Sequence, residues 1–381
     1  MIRVTEINEL SELASYRLLW QALLPQTPRA SFFQSLDWLE VYLSHYGHDQ
    51  RLRVLVVHTG GHPIGILPLV VRTEQTRLGQ VRLLTYPLHD WGTFYGPIGP
   101  NPTATLIAGL QHIRRTERDW EVLDLRWVDR DGADRGRTER ALENAGFNPQ
   151  HAPWMRCAKI DLAGDWDSYW ATRTSHWRTN VRRSEKRVAE LGPVTYLRYR
   201  PQGAAYGEGD PRWDLYDACE QVAGASWQAA SQTGTTLTHD EVRGFFRDAH
   251  EVAARAGAVD LNLLYVDGRP IAFNYAYQYR GYVFGLRMGY DAHATKGAGT
   301  VLQMHMIRDS FNRGDHTYDL GAEYLGCKRF WPTHILASHR YTYFPPRIRP
   351  QVLRLKRSLE GAWRRSPELE DAENSKAPAL R

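Results

Sequence analysis

Between Asp260 and Glu323 the chain spells out a three-strand meander, a glycine turn, a helix and a short strand, and this run constrains the fold more than any other. Leu261, Leu263 and Leu264 lie in an apolar run that ends at Asp267-Gly268, a pair suited to positive φ in a two-residue hairpin turn. The next run alternates: Ile271, Phe273, Tyr275, Tyr277 and Tyr279 point one way, Ala272, Asn274, Ala276 and Gln278 the other. Period two with aromatic residues means a strand. Arg280-Gly281 makes a second turn, and Tyr282 to Tyr290 runs back as a third strand. After Lys296-Gly297-Ala298-Gly299, the residues Val301, Met304, Ile307 and Phe311 repeat at helical spacing, and Gly314 closes that helix. His316 to Leu320 then reads as a short strand, ending in Asp319-Leu320-Gly321-Ala322-Glu323.

A glycine turn that opens a helix presents unpaired backbone N–H groups at a positive dipole end, which suits a pyrophosphate. Gly-x-Gly alone permits several nucleotide binders. The meander ahead of it argues against a Rossmann unit, which opens with one parallel strand. The chain has no Gly-x-Ser-x-Gly elbow, no Walker lysine-serine pair and no Cys/His spacing for zinc, so no metal is expected.

With 381 residues, 42% of them hydrophobic, the chain has enough core for two domains. No apolar run reaches the ~18 residues of a membrane-spanning helix, and Met1 to Glu6 lacks the apolar stretch of a signal peptide. Cys157, Cys219 and Cys327 are odd in number and far apart, which fits a reducing cytoplasm and buried small hydrophobes better than a disulfide framework. The expected location is cytoplasmic, at most peripheral at the inner membrane. The net charge of +5 is unevenly spread. Arg173 to Arg187 carries Arg173, Arg178, Arg182, Arg183, Lys186 and Arg187 against one Glu, and Arg347 to Arg365 carries seven basic residues against one Glu. Either stretch could be a solvated helix face or could meet phosphates, anionic lipid headgroups or nucleic acid. Both lack the interleaved aromatics of a single-strand binder, so nucleic acid is the less expected partner.

The first half contains a weaker copy of the meander. Gly61-His62-Pro63-Ile64 matches Gly268-Arg269-Pro270-Ile271, 207 residues on, and Val122-Leu123-Asp124-Leu125 matches Thr317-Tyr318-Asp319-Leu320. Two matches in the same order indicate an internal duplication. The copies diverge at the turn: Tyr86 to Pro100 is broken by prolines, and Pro100 and Pro102 remove donors a phosphate would need. The second half is therefore expected to hold any nucleotide-type cofactor, with His89 and Asp90 of the first half contacting substrate. Between the halves, Asp165 to Leu191 reads as one long basic helix closed by Gly192-Pro193. Asp210 to Trp227 and Thr238 to Ala256 read as further helices, the last capped by Thr238 with Glu241. Ser366 to Arg381 is polar and proline-containing and is expected to be disordered.

A strand meander, a glycine turn into a helix and a following strand resemble the GNAT acetyltransferase fold. Two such halves in tandem resemble the Fem-like aminoacyltransferases, and the chain is similar to the BioF2-like acetyltransferases associated with cellulose and exopolysaccharide biosynthesis in bacteria. The resemblance runs from about residue 30 to 345 and rests on several pieces in order. These are Phe33-Gln34-Ser35-Leu36-Asp37-Trp38, Gly65-Ile66-Leu67-Pro68-Leu69, the basic helix Trp177 to Leu191, Gly299-Thr300-Val301-Leu302, and Asp319 to Glu323 with Lys328 and Trp331 behind it. It implies an α/β (α+β) tandem fold of two mixed, mostly antiparallel sheets flanked by helices. Residues 1–160 would form a first domain without cofactor, 161–345 an acyl-CoA-binding domain and 346–381 a basic tail. The fold's fingerprint places Gln or Arg three residues before the first glycine, where this chain has Ala294; Lys296 would supply a charge instead. The residue before Lys328, aromatic in the closer branch, is Cys327.

The resemblance also implies direct attack of an amine on the thioester of acetyl-CoA or another acyl-CoA, with no covalent enzyme intermediate and no metal. Backbone N–H groups in Leu286-Arg287-Met288-Gly289 would meet the thioester carbonyl. Met288, Lys296, Gly297, Ala298, Gly299 and Thr300 would bind the donor. Glu323 is the first candidate for the base, with Asp319 and His316 as alternatives; Tyr324 would protonate the thiolate, and Arg287 and Lys328 would contact an anionic acceptor. Each also has a plain structural reading: Asp319 as a turn cap, Glu323 as a surface ion-pair partner of Arg329, Tyr324 as packing, Lys328 as a solvated cation, and His89 with Asp90 as a turn. Three functions follow as candidates. They are an acyltransferase acting on an amine or hydroxyl of a small metabolite or polysaccharide-pathway intermediate, an aminoacyl-tRNA-dependent transferase, and a non-catalytic component of an envelope polysaccharide synthesis complex held at an anionic membrane by the basic tail.

Overall fold

Twelve strands hydrogen-bond into one continuous sheet in the computed structural model, which describes residues 1–76, 79–230, 236–322 and 325–363. The first half runs β1 (Ile2–Ile7), α1 (Leu10–Leu13), α2 (Arg17–Leu23), α3 (Leu36–Tyr46), β2 (Gln50–Thr59), β3 (His62–Thr76), β4 (Gly79–Thr85), α4 (Pro102–Arg115), β5 (Val122–Val128), α5 (Arg137–Asn144) and β6 (Gln150–Asp161). Helices α6 (Trp166–Ala171) and α7 (Ser175–Ala189) lead to β7 (Val194–Tyr199), α8 (Trp213–Ala225) and α9 (Asp240–Arg255). The meander follows as β8 (Val259–Val266), β9 (Arg269–Tyr279) and β10 (Tyr282–Tyr290). The chain closes with α10 (Ala298–Asn312), β11 (Thr317–Asp319), α11 (Leu325–Lys328), β12 (His334–Tyr343) and α12 (Ile348–Trp363).

The strand order is β1-β2-β3-β4-β5-β12-β6-β11-β10-β9-β8-β7. Read inward from each edge, the two halves repeat: β1 to β5 on one side match β7 to β11 on the other. The last strand of each half sits beside the other half's fifth strand. β6 pairs with β11, and β12 pairs with β5, both antiparallel. β6 and β12 then pair with each other from His334↔Lys159 to Thr342↔Gln150. The α/β tandem class and the mostly antiparallel pairing therefore stand, but the two expected sheets are joined. The exchange of β6 and β12 leaves no free edge between the halves at which a second sheet could begin.

Local chemistry explains the elements. The hairpin turn between β8 and β9 holds Asp267 and Gly268 at φ 47° and 75°, the paired positive φ of a tight hairpin turn. Ile271 to Tyr277 are buried on both faces of β9, because helices cover both sides of that part of the sheet. Phe32, Phe33 and Trp38 of the first half pack their rings on Tyr277 of β9 at 4.8, 5.8 and 5.9 Å, so one core spans both halves. Ser35 fixes the start of α3 by accepting from the Trp38 N–H at 3.1 Å. That bond accounts for the placing of Ser35 three residues before Trp38 without invoking catalysis.

Two local expectations are corrected. Residues 165–191 form two helices rather than one. The Asp165 carboxylate caps α6 and the Thr174 hydroxyl caps α7, accepting from the N–H groups of Ser168 (2.8 Å) and Trp177 (3.2 Å). Between them Arg173 donates to the carbonyls of Trp331 and Pro332, each at 3.1 Å, which fixes the break. Helix α9 starts one residue later than a Thr238 cap would allow: His239 is its N-cap residue, and no side chain caps it. Asp210 to Trp227 resolves into α8 with a short turn after it. Ser366 to Arg381 lies outside the described residues.

A buried charge cluster ties β7, β8 and the α10–β11 turn together. Arg198 of β7 donates to Asp260 of β8 (Nε to Oδ1 2.8 Å) and to Asp309 (3.0 Å), while Arg200 bridges Asp260 (2.5 Å) and Asp315 (2.7 Å). Burial alone would raise the Asp260 pKa, but the two guanidinium groups outweigh it and hold the carboxyl below its usual 3.8. A depressed carboxylate stabilises the fold above its unfolded pKa, and that contribution fades as pH falls through the folded value. Asp260→Asn is expected to cost about 3 kcal/mol in urea unfolding at neutral pH, because it removes the carboxylate that two buried cations share and leaves them Asp309 and Asp315 alone. Its loss of stability below pH about 4 should also be shallower than that of the wild type.

Candidate active site

The second half's meander opens a notch in the sheet. β10 runs parallel to β11 only over Tyr282–Phe284 against Thr317–Asp319. Beyond that, the register of β10 on β9 shifts between Gly285 and Arg287, which leaves Leu286 as a bulge and bends the strand. Gly285 sits at the apex, where an added Cβ would lie 3.1 Å from the Asp319 carbonyl oxygen; the small residue lets the strands meet before they part. The parting strands border a cavity of about 450 Å³. Its walls are Gly285 to Met288 of β10, Gln303 and Met306 of α10, Asp319 to Ala322 after β11, Lys328, and His89 to Thr93 of the first half.

The glycine turn lies at the head of α10. Gly297 is the N-cap residue at φ 97°, and no side chain caps the helix, so the N–H groups of its first turn are left for a ligand. A Cβ on Gly297 would stand 2.5 Å from Ser184 Oγ of α7, and one on Gly299 would stand 3.2 Å from the Tyr290 ring. Glycine is thus required twice: once for backbone sign and close approach, once for contact. The exposed Lys296 carries its charge at the turn, and its carbonyl accepts from Arg187 Nη1 at 3.0 Å. Arg182, Arg183, Lys186 and Arg187 of α7 are all exposed, and Arg187 reaches the turn. Ala298 is buried and Thr300 half-buried within the first turn, and Met288 packs on the side chains beneath it.

The first half has the same notch, closed. β4 is parallel to β5 only over Leu83–Leu84 against Val122–Leu123. Its own loop fills the gap: the Tyr95 N–H donates to the Trp127 carbonyl at 2.8 Å, and Ile66 and Ile98 exchange both backbone bonds at 2.8 Å. Helix α4 then opens on Pro102, with no side-chain cap. Asp124, the counterpart of Asp319, is fully enclosed by Arg126 (2.8 Å), Arg340 and Thr342 (2.8 Å).

Asp319 is 2% exposed and differently placed. Its Oδ2 accepts from the Thr93 hydroxyl at 2.6 Å and its Oδ1 from the Gly321 N–H at 2.8 Å. Lys159 Nζ stands 3.7 Å from the carboxylate and 4.0 Å from the centre of the Phe94 ring. Asp319 therefore fixes the first half's loop against the end of β11, and Lys159 and Phe94 form the wall toward a second cavity of about 350 Å³. Thr93, Lys159 and Asp319 are far apart in sequence, and no local pattern announced their meeting.

The remaining candidates divide by place. His89 and Asp90 lie at the cavity mouth, and His89 sits at φ 53°. His89 keeps an exposed edge, and desolvation by the surrounding chain, followed by the nearby Arg72 charge, lowers its pKa from the usual 6.5. Arg287 lines the cavity with its guanidinium over Trp91 (5.5 Å) and Phe246 (5.3 Å) while donating to the Leu286 carbonyl at 2.7 Å. Lys328 reaches the cavity next to Gly321. His316 lies away from it, beside Gly281 at the opposite end of β11. Glu323 and Tyr324 lie outside the described residues, as does the Cys327 side chain. Glu241, read from sequence as part of a helix cap, is an exposed carboxylate on the cavity wall.

Comparisons with known proteins agree with this geometry. Residues 175–329, which hold α7, the meander, the glycine turn and β11, match the family model described as an acetyltransferase (GNAT) domain. No curated protein matches the chain. Among solved structures the fold is similar to FemX, at 13% identity and TM-score 0.58, covering 90% of this chain and 97% of that one. It is similar to the C-terminal domain of a protein named as a lysylphosphatidylglycerol synthetase from Agrobacterium fabrum, at 14% identity, TM-score 0.52 and coverage of 88% and 92%. A third likeness is to L-PGS from Bacillus licheniformis, at 15% identity, TM-score 0.51 and coverage of 86% and 97%. At these identities the likeness is one of fold.

Gly297→Ala is expected to destabilise the protein by about 1–3 kcal/mol, through the positive φ and the Ser184 contact. Adding Ser184→Ala removes the Oγ contact but leaves the Ser184 Cβ 2.7 Å from the new methyl, so it should restore only part of the loss. Thermal melts of the two variants check this; full rescue by Ser184→Ala would mean that neither the backbone conformation nor the Cβ contact carries a cost.

Proposed function

Given a GNAT acetyltransferase domain over residues 175–329, we propose that the protein transfers an acyl group from acyl-CoA to an amine, or to a hydroxyl, of an acceptor held in the cavity between the halves. The observation that carries this reading is the parting of β10 from β11 directly beside an uncapped glycine turn. Gly285 to Tyr290 have lost their β11 partner, so backbone amide and carbonyl groups on that edge can pair with the amides of a pantetheine arm. The first-turn N–H groups of α10, with Lys296 and the cationic rim of α7, suit the pyrophosphate.

The reaction itself is an exchange of bonds at the thioester carbonyl. The acceptor nitrogen gives up a proton and forms the C–N bond, the C–S bond breaks, and the departing thiolate takes up a proton. A backbone N–H near the Leu286 bulge would stabilise the carbonyl oxygen as negative charge develops. Glu323, which follows the cavity-lining Ala322 in sequence, is our assignment for the base, and Tyr324 for the acid. Asp319 is assigned a positioning role: its two oxygens already accept from Thr93 and Gly321, and it holds the acceptor-side loop in place. His89, Asp90, Arg287 and Lys328 would contact the acceptor, whose class we take to be a small metabolite or a polysaccharide-pathway intermediate.

One observation favours a second reading, a donor carried on RNA. The four exposed cations of α7, of which Arg187 reaches the glycine turn, could meet a nucleic-acid backbone as well as a dinucleotide. The measurement that decides is release of free thiol from acetyl-CoA in the presence of an amine panel. We expect acceptor-dependent release, lowered by about 10²–10⁴-fold in Glu323→Gln with the fold unchanged. No release with any acyl-CoA, together with a steep salt dependence of tRNA binding, would replace the first reading by the second. Full activity in Glu323→Gln would remove the base assignment while leaving the donor site intact.

A further inference from the structure

The outer face of α12 takes no part in the chemistry above, yet its composition is unusual for a solvent-facing helix. One side of the helix is fastened to the first half. Arg349 donates to the Gln80 carbonyl and pairs with Glu121 at 2.8 Å, Gln351 donates to the carbonyls of Phe344 (3.1 Å) and Pro345 (3.0 Å), and Leu353 packs on Val81, Leu83, Val122 and Phe344. The other side is open. Ile348, Val352 and Leu355 are 87%, 46% and 63% exposed. They recur at helical spacing in a single stripe, and the sequence continues that period with Leu359 and Trp363. Single exposed apolar residues are ordinary, but a stripe of them on one helix marks a contact surface.

The charges beside the stripe identify its partner. Arg347 and Arg354 are exposed on the same stretch, and the sequence adds Lys356 and Arg357. The cationic field extends onto the body of the protein through Arg114 and Arg118 at the end of α4. Burial lowers the Arg118 pKa, Tyr343 opposes the shift, and Arg347 and Arg114 add to it, so like charges meet at this corner. A neutral protein groove would satisfy the stripe and leave those arginines opposed. A duplex or single strand would satisfy the arginines and leave isoleucine and leucine in water. A bilayer surface with anionic headgroups satisfies both, with the apolar side chains entering the acyl boundary and the guanidinium groups at phosphate depth. Among the described residues no helix is long and apolar enough to cross a membrane, so the contact would be made from one side.

We propose that α12 is an interfacial helix that docks this protein on a membrane containing anionic phospholipid, with Ile348, Val352 and Leu355 as the inserted stripe. The test is co-sedimentation of the full chain with vesicles of phosphatidylcholine alone and of an equal mixture with phosphatidylglycerol. Binding is expected to the mixed vesicles only, and added salt should weaken it. The combined variant Ile348→Ser, Val352→Ser, Leu355→Ser should weaken binding by about tenfold or more. Its melting temperature and its thiol release in solution should stay at wild-type values, since these side chains are exposed and distant from the cavity. Arg347→Glu with Arg354→Glu should remove the preference for the mixed vesicles. The proposal is overturned if the wild type stays in the supernatant with both vesicle types. It is also overturned if the serine variant binds as well as the wild type, or if single-stranded RNA is bound more tightly than mixed vesicles and without regard to the serine changes. The binding and melting outcomes do not depend on whether acyl-CoA is the donor.

Discussion

The pairing of β6 with β12 is the constraint on which the rest of the molecule depends. Each is the last strand of its own half, yet each is also hydrogen-bonded to the fifth strand of the other half. The two halves therefore share a sheet, and neither completes its own without the other. A small slip at this seam would turn inward-facing side chains outward across both halves. The seam also sets the distance between the first half's loop and the second half's notch. Lys159, on β6, is carried by it to the Asp319 carboxylate on β11, and Thr93 closes the same contact from the loop. A site assembled from two halves needs such a rigid frame, because positioning errors of an ångström are costly to catalysis.

A duplicated fold also explains the asymmetry. Both halves inherit a short parallel pairing and a gap beyond it, but the gaps are used in opposite ways. In the first half, backbone from the loop at Tyr95 and Ile98 fills the gap, and Asp124 is consumed by two arginines. In the second, the gap stays open, and Asp319 accepts from the Thr93 hydroxyl and the Gly321 N–H with Lys159 at 3.7 Å. The closed copy contributes instead through the loop from His89 to Thr93, which forms the far wall of the open copy's cavity. One gap has become structure and the other a site.

Much of this was legible in the chain, for physical reasons that can be named. The β9 alternation, the Asp267-Gly268 turn and the glycine-led helix α10 are local patterns, and local patterns survive in sequence. The duplication was readable because the same turn chemistry recurs at Gly61 and Gly268. What could not be read was everything decided by distant residues. The union of two sheets depends on strand partners far apart in the chain. The break at Thr172 to Thr174 depends on carbonyls at Trp331 and Pro332 that accept from Arg173. The roles of Thr93 and Lys159 follow from the meeting of loop and strand end, and neither residue stands in a recognisable motif. The glycines were visible as a turn, but the reason for Gly297, a serine of α7 within contact distance, was not.

On the proposed reading, the open notch of the second half, and not its closed counterpart, receives the donor. Backbone hydrogen exchange with and without coenzyme A addresses it residue by residue. Slower exchange is expected at Gly285 to Tyr290 and at Ala298 to Val301 when the ligand is present, with Tyr86 to Gly99 unchanged. Protection at Tyr86 to Gly99 and the start of α4, with none at the second-half notch, would contradict it.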